Sequence, residues 1–251
     1  MTTTVVVAGK GGTGKTTIAT LLIQLLSERG VVLAIDADPA TNLNQALGVS
    51  LDDTVGRIRE EMTEAIKLGS LSPTTPKQDY LEYKIMSALV ESKGFDLLAM
   101  GRPEGPGCYC AANNMLRLFI DRLGQNYRYV IIDSEAGMEH ISRQTTRDID
   151  ILLIISDVTQ RGINTAAAMK ELMKELRTRV GKICLVINRS PNGLPPEIVQ
   201  TIDKQGFELV ATIPQDPRIA DLEVKGLPIT ELPSDSPLRI GVRELVSKVG
   251  L

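Results

Sequence analysis

Val5-Val-Val-Ala-Gly-Lys-Gly-Gly-Thr-Gly-Lys-Thr-Thr17 begins as an apolar strand, breaks into glycines and ends as the start of a helix. A triphosphate needs several backbone N–H groups directed at it from one tight turn. Gly9, Gly11, Gly12 and Gly14 permit both the unusual dihedrals and the close backbone approach that this requires. Lys15 adds a point charge, and the hydroxyl of Thr16 is placed to sit on Mg²⁺. Thr13 and Thr17 complete the stretch expected to touch the nucleotide.

From Gly9 to Thr16 the residues satisfy the Walker A spacing, with the strand before it and the helix after it that the motif requires. The second lysine, Lys10, is not needed for a simple phosphate cradle. Lys-Gly-Gly-Thr-Gly-Lys-Thr-Thr resembles the deviant Walker A ATPases, the group that includes MinD, ParA, the arsenite-pump ATPases and the nitrogenase iron protein. The resemblance implies that Lys10 reaches across a dimer interface to the partner's nucleotide, so that two chains face each other as a homodimer with ATP between them.

At 251 residues and 43% hydrophobic content, the chain can bury one full core and needs no second domain. The expectation is a single P-loop domain over residues 1–251. A formal net charge of -3 and a pI near 5.4 argue against a surface made to hold nucleic acid. Tryptophan is absent and aromatics make up 3% of residues, so stacking platforms for single strands are lacking as well. The opening residues show no basic segment followed by a long apolar one, and no apolar run approaches membrane-spanning length. A cytoplasmic protein without a membrane role is expected. Three cysteines in such a chain point to ligands or core residues rather than a disulfide framework.

Downstream, apolar residues at helical spacing run from Ile18 to Leu26 and stop at Gly30. A strand over Val31–Ala37 leads into Asp36-Ala-Asp-Pro-Ala-Thr-Asn, which matches the switch I segment of the same family. A carboxylate just past the C-terminal end of a parallel strand lies where phosphates sit, so Asp38 is placed to orient or deprotonate the attacking water. Asp36 either holds the switch loop by hydrogen bonds or supports the magnesium from behind. From residue 50 to 94 the pattern is helical and charged, with Leu51, Val55, Ile58 and Met62 on one stripe and Leu81, Ile85 and Leu89 on another. This region reads as a helical lid or partner surface, or as plain packing helices.

The strand Phe95–Met100 opens into Gly101-Arg-Pro-Glu-Gly-Pro-Gly-Cys-Tyr-Cys-Ala-Ala. Glycines and prolines predict a rigid, exposed turn that carries Cys108 and Cys110 to the start of a helix, where thiol pKa falls and thiolate is favoured. A thiolate metal site wants four sulfurs, and a two-fold dimer supplies them as two plus two. Reduced cysteines without a role, or a redox pair, remain alternatives. Cys184 lies in the apolar run Ile183-Cys-Leu-Val-Ile and reads as a small core residue.

Gly-Arg-Pro-Glu-Gly-Pro-Gly-Cys is similar to the cluster loop of the nitrogenase iron protein, but Ala136 stands where that family carries its second cysteine. Cys-Tyr-Cys instead resembles the CooC/AcsF-type ATPases, which mature the nickel site of carbon monoxide dehydrogenase or acetyl-CoA synthase. This resemblance implies an ATPase that binds Ni²⁺, with Zn²⁺ able to substitute, through Cys108 and Cys110. An iron-sulfur electron-transfer ATPase and a ParA/MinD-type positioning ATPase are the rivals.

Arg128–Asp133 reads as a buried strand ending in the Walker B carboxylate, so Asp133 is expected to hold Mg²⁺, and Gly137 to let switch II approach the γ-phosphate. His140, the only histidine, follows it and is expected to be a surface or packing residue. Alternating strands and helices over the remainder predict an α/β fold whose mostly parallel central sheet carries helices on both faces. In the resembled family, the positions of Asn188, Pro214 and Gln215 hold the adenine of ATP or ADP. Leu238–Val249 is amphipathic and is expected to dock as a terminal helix.

Overall fold

A computed structural model describes residues 1–69, 76–102, 118–135, 148–175, 179–191 and 193–251. Cys108, Cys110, Ala136, Gly137 and His140 lie outside the described residues. Eight strands form one sheet in the order β3-β4-β2-β5-β1-β6-β7-β8. They are β1 (Thr3–Gly9), β2 (Val32–Asp36), β3 (Val90–Glu91), β4 (Phe95–Ala99), β5 (Tyr129–Asp133), β6 (Asp148–Ser156), β7 (Arg179–Ser190) and β8 (Glu208–Pro214). Every pairing is parallel except the short edge pair of β3 with β4. The predicted α/β architecture with a mostly parallel sheet, in a single domain, is the observed one.

Helices are α1 (Lys15–Ser27), α2 (Leu43–Leu47), α3 (Val55–Lys67), α4 (Lys77–Ser87), α5 (Gln160–Glu175), α6 (Pro196–Lys204), α7 (Arg218–Lys225) and α8 (Pro237–Val249). Residues 118–124 are also helical. Each strand feeds two cores, because successive side chains point to opposite faces. Val5 and Val7 of β1 face one cluster with Ile18, Leu22 and Leu26 of α1 and Val242 and Leu245 of α8. Val6 and Ala8 face the other, with Ile58 of α3, Ile85 of α4, Ile163 of α5 and Ile202 of α6. This double covering explains why β2 and β5 are buried along their whole length and read as unbroken apolar runs ending in aspartate. Each fully buried aliphatic side chain contributes about 1.5–3 kcal/mol relative to exposure.

Helices α3 and α4 bury Val55, Ile58, Met62, Leu81 and Ile85 and turn Ile66, Tyr83 and Met86 outward, with Leu68 exposed just past the end of α3. The terminal segment docks as α8 through Leu238, Val242, Leu245, Val246 and Val249. Its N-terminus is capped by Ser236, whose hydroxyl accepts the Arg239 N–H at 3.2 Å. No helix among the described residues is long and apolar enough to cross a membrane.

Three elements depart from the periodicity. Helix α5 begins at Gln160 with a polar first turn set by Thr159, whose hydroxyl accepts the Gly162 N–H at 3.0 Å. The five-residue α2 is too short to show a stripe and is closed by Gly48 in the left-handed region. Strand β6 starts at Asp148, three residues before its apolar run.

Candidate nucleotide-binding site

The parallel strands all end on one edge of the sheet, and strand order reverses around β1, which lies between β5 and β6. In an open α/β sheet that crevice is where ligands bind. At its centre, Gly9 leaves β1 with φ 151°, and a Cβ there would lie 2.2 Å from the carbonyl oxygen of Ile155. Gly14, at φ 88°, is the N-cap of α1, and no side chain caps that helix. The first N–H groups of a thirteen-residue helix are thus turned toward the crevice, where an anion completes them. The tip of the loop closes on itself through Thr13, whose hydroxyl donates to the Lys10 carbonyl at 2.8 Å.

Lys15 is buried at the base of this loop, with Nζ 3.4 Å from the carbonyl oxygen of Lys10. Burial lowers its pKa, against the opposing pull of Asp133, Asp38 and Glu135. Asp36 and Asp133 are register partners at the ends of β2 and β5. Burial raises both carboxyls, Asp36 to about 6 and Asp133 to about 7. Asp36 is consumed by the switch loop: it accepts the Asp38 N–H at 3.1 Å and the Leu43 N–H at 2.9 Å. These bonds give it a loop-holding role. Asp133 accepts a hydrogen bond from Thr16, while its Oδ1 is buried without a hydrogen-bond partner. A buried carboxylate oxygen left unpaired beside a threonine hydroxyl is a donor set suited to a hard divalent cation such as Mg²⁺.

Gly11, Gly12, Gly14, Lys15, Thr16 and Asp38 line a cleft of about 380 Å³. Asn42, Glu135 and Arg189 close it. Asp38, half-buried, accepts the Ala40 N–H at 2.8 Å, which fixes its carboxylate at the mouth. Next to it lies a second cavity of about 210 Å³, lined by Thr17, Asn188, Arg189, Pro214, Gln215 and residues of α7. Asn188 is buried and its Nδ2 donates to the Thr13 carbonyl at 2.8 Å, which leaves Oδ1 buried and unpaired. Below Gln215, Asp216 is held by Arg218 Nε at 3.1 Å, Arg218 Nη2 at 3.2 Å and the Ser236 hydroxyl at 2.5 Å.

Residues 4–229 match the family described as CobQ/CobB/MinD/ParA nucleotide binding domain. The chain belongs to this family. It is 42% identical over 98% of its length to an uncharacterized ATP-binding protein of Methanocaldococcus jannaschii, covering 97% of that protein. It is 31% identical over 91% of its length to the carbon monoxide dehydrogenase accessory protein CooC of Rhodospirillum rubrum, covering 89% of it. A ParA family ATPase from Chlorobium tepidum superposes over the whole of both chains with a TM-score of 0.73 at 18% identity. MinD of Pyrococcus horikoshii, solved with Mg-ADP, gives 0.69 at 22% identity over 99% of this chain and 96% of that one. The protein is an ATPase of the MinD/ParA family.

In this MinD/ParA-family ATPase the two cavities hold every described residue that the sequence singled out for nucleotide binding, apart from Gly9 at the end of β1 and three others. Thr13 is buried beneath the loop and Asp133 sits at the cleft's floor beside Thr16. Lys10 turns away to Asp157, with Nζ 3.8 Å from Oδ2 and both side chains about a third exposed. Arg189, Asn42, Glu135 and Asp157 were not anticipated. For Arg189 a signal existed, since it directly follows Asn188 at a strand end. Asp157 carried none, because its relation to Lys10 depends on the pairing of β1 with β6.

Proposed function

We propose that this ATPase is a metallochaperone that binds nickel between two protomers and delivers it to carbon monoxide dehydrogenase or acetyl-CoA synthase. The observation that carries the reading is the Cys108-Tyr-Cys110 pair in a chain 31% identical, over 91% of its length, to CooC. Each protomer contributes two thiolates, and a two-fold axis brings four together. The same donors accept zinc.

ATP drives the cycle. Lys15 and the amides of residues 11–17 hold the phosphates, and Thr16 with Asp133 holds Mg²⁺, which when bound neutralises charge on the transferring phosphoryl group. Asp38 orients the attacking water. Asn188, Pro214 and Gln215 receive the adenine, with the unpaired Oδ1 of Asn188 accepting from its amino group. Lys10 leaves Asp157 to reach the nucleotide of the second chain.

Metal analysis combined with native mass measurement tests the proposal. Protein loaded with nickel should saturate at about one metal per dimer, and Cys108→Ser or Cys110→Ser should each abolish tight binding without loss of ATP affinity. One metal per monomer, on a chain that stays monomeric, would contradict the shared site.

A further inference from the structure

Arg189 lines both the phosphate cleft and the base-side cavity. Its backbone sits at φ 58°, left-handed for a residue that carries a side chain. The cause is local: the pairing of β7 with β8 shifts register between Ile187 and Ser190, and such an irregularity bends the strand and re-aims its side chains. As a result two successive side chains grip two successive carbonyls of the cradle. Asn188 Nδ2 donates to Thr13 at 2.8 Å and Arg189 Nη1 donates to Gly12 at 2.9 Å. No aromatic ring is present in the lining of the base-side cavity among the described residues. Among the planar groups that line it, the amides of Asn188 and Gln215 and the Arg189 guanidinium, the guanidinium is the cationic one, and its plane can stack face to face on a purine as a tetrahedral ammonium cannot.

We propose that Arg189 is a specificity-determining residue that stacks on the purine while its fork holds the Gly12 carbonyl, so that one side chain joins the base pocket to the phosphate cradle. The proposal deepens the nucleotide reading above and rests on the adenine lying in this cavity. Because a left-handed position strains alanine, the informative variant is Arg189→Gly, which removes the side chain and relaxes the backbone. Arg189→Lys keeps the charge and loses the plane.

Binding of Mg-ATP and of Mg-tripolyphosphate, a probe without a base, should be measured on the full chain by calorimetry, with thermal melting as a check on folding. Stacking on a base is worth enough that Arg189→Gly should lose about tenfold or more in ATP affinity and under about threefold for tripolyphosphate. Arg189→Lys should recover only part of the ATP loss. Equal losses for the two ligands, or full recovery by lysine, would overturn the stacking role. Asn188→Ala separates the two layers of the argument. If it weakens ATP more than tripolyphosphate while Arg189→Gly does not, the base pocket stands and the Arg189 proposal falls; if neither variant separates the two ligands, the adenine lies elsewhere and both fall.

Discussion

The phosphate cradle and the base-side pocket adjoin each other and share Arg189, yet the chain builds them in opposite ways. Nine consecutive residues, Gly9 to Thr17, make the cradle, and its course is set mainly by local sequence, a strand that ends, glycines that turn and a helix that starts uncapped, with Asn188 and Arg189 holding its carbonyls from outside. The pocket gathers Thr17, Asn188, Pro214, Gln215 and Leu238 from four parts of the chain, and only the pairing of β7 with β8 and the docking of α8 bring them together. Local assembly gives a rigid feature that one substitution can destroy. Distributed assembly gives a feature that substitutions can only loosen.

The largest expected effect lies in the cradle. Lys15→Ala removes the one buried cation among the described residues that line the cleft, and charged contacts of this kind are worth roughly 3 kcal/mol, so affinity should fall about a hundredfold or more. The loss should be the same for Mg-ATP and Mg-tripolyphosphate in calorimetry, because Lys15 serves phosphate alone. A variant that lost ATP but kept tripolyphosphate would merge the two halves of the site.

A smaller effect is expected from the pocket's foundation. Asp216 is buried beneath Gln215, and although burial alone would raise its carboxyl, the hydrogen bonds from Arg218 and Ser236 hold it below the ordinary range. A carboxyl that is more acidic folded than unfolded contributes stability that is fully present above the unfolded value of about 4 and is lost as pH falls through the folded value. Asp216→Asn should therefore cost on the order of 1–3 kcal/mol at pH 7 in urea melts, with the gap from wild type narrowing as pH drops below about 4. ATP affinity should fall several-fold and tripolyphosphate affinity should not. A gap independent of pH would mean that the charge of Asp216 is not what secures the pocket.

The same contrast sets what could be read from residues alone. The sheet, its helices on both faces and the cradle were legible because hydrophobic period and motif spacing are local quantities. Asn188, Pro214 and Gln215 were placed only through resemblance, since nothing near them in sequence says that they meet. Arg189 escaped notice although it directly follows Asn188, because what turns its side chain to the site is a register shift between two strands. The bonding of Asp36 to the switch loop needed the fold of residues 38–43, and Asp157 as Lys10's partner needed β6 beside β1.

That last contact supplies the smallest expected effect and the only one at the cradle's outer rim. Lys10 Nζ and Asp157 Oδ2 stand 3.8 Å apart with both side chains about a third exposed, and a pair of that kind is worth no more than about 1 kcal/mol and is weakened by salt. If Lys10 must leave Asp157 to serve a second chain, the tether opposes association by that amount. Asp157→Asn should then tighten ATP-dependent self-association in sedimentation by up to about fivefold for each of the two tethers released, and raising the salt should bring the wild type toward the variant. ATP affinity of the single chain should not change, because Asp157 lines neither cavity. Loss of association in Asp157→Asn would reverse the assignment: the carboxylate would then be a receptor for lysine in the assembled state rather than its restraint in the free one, and the cradle's rim would be part of the interface between chains.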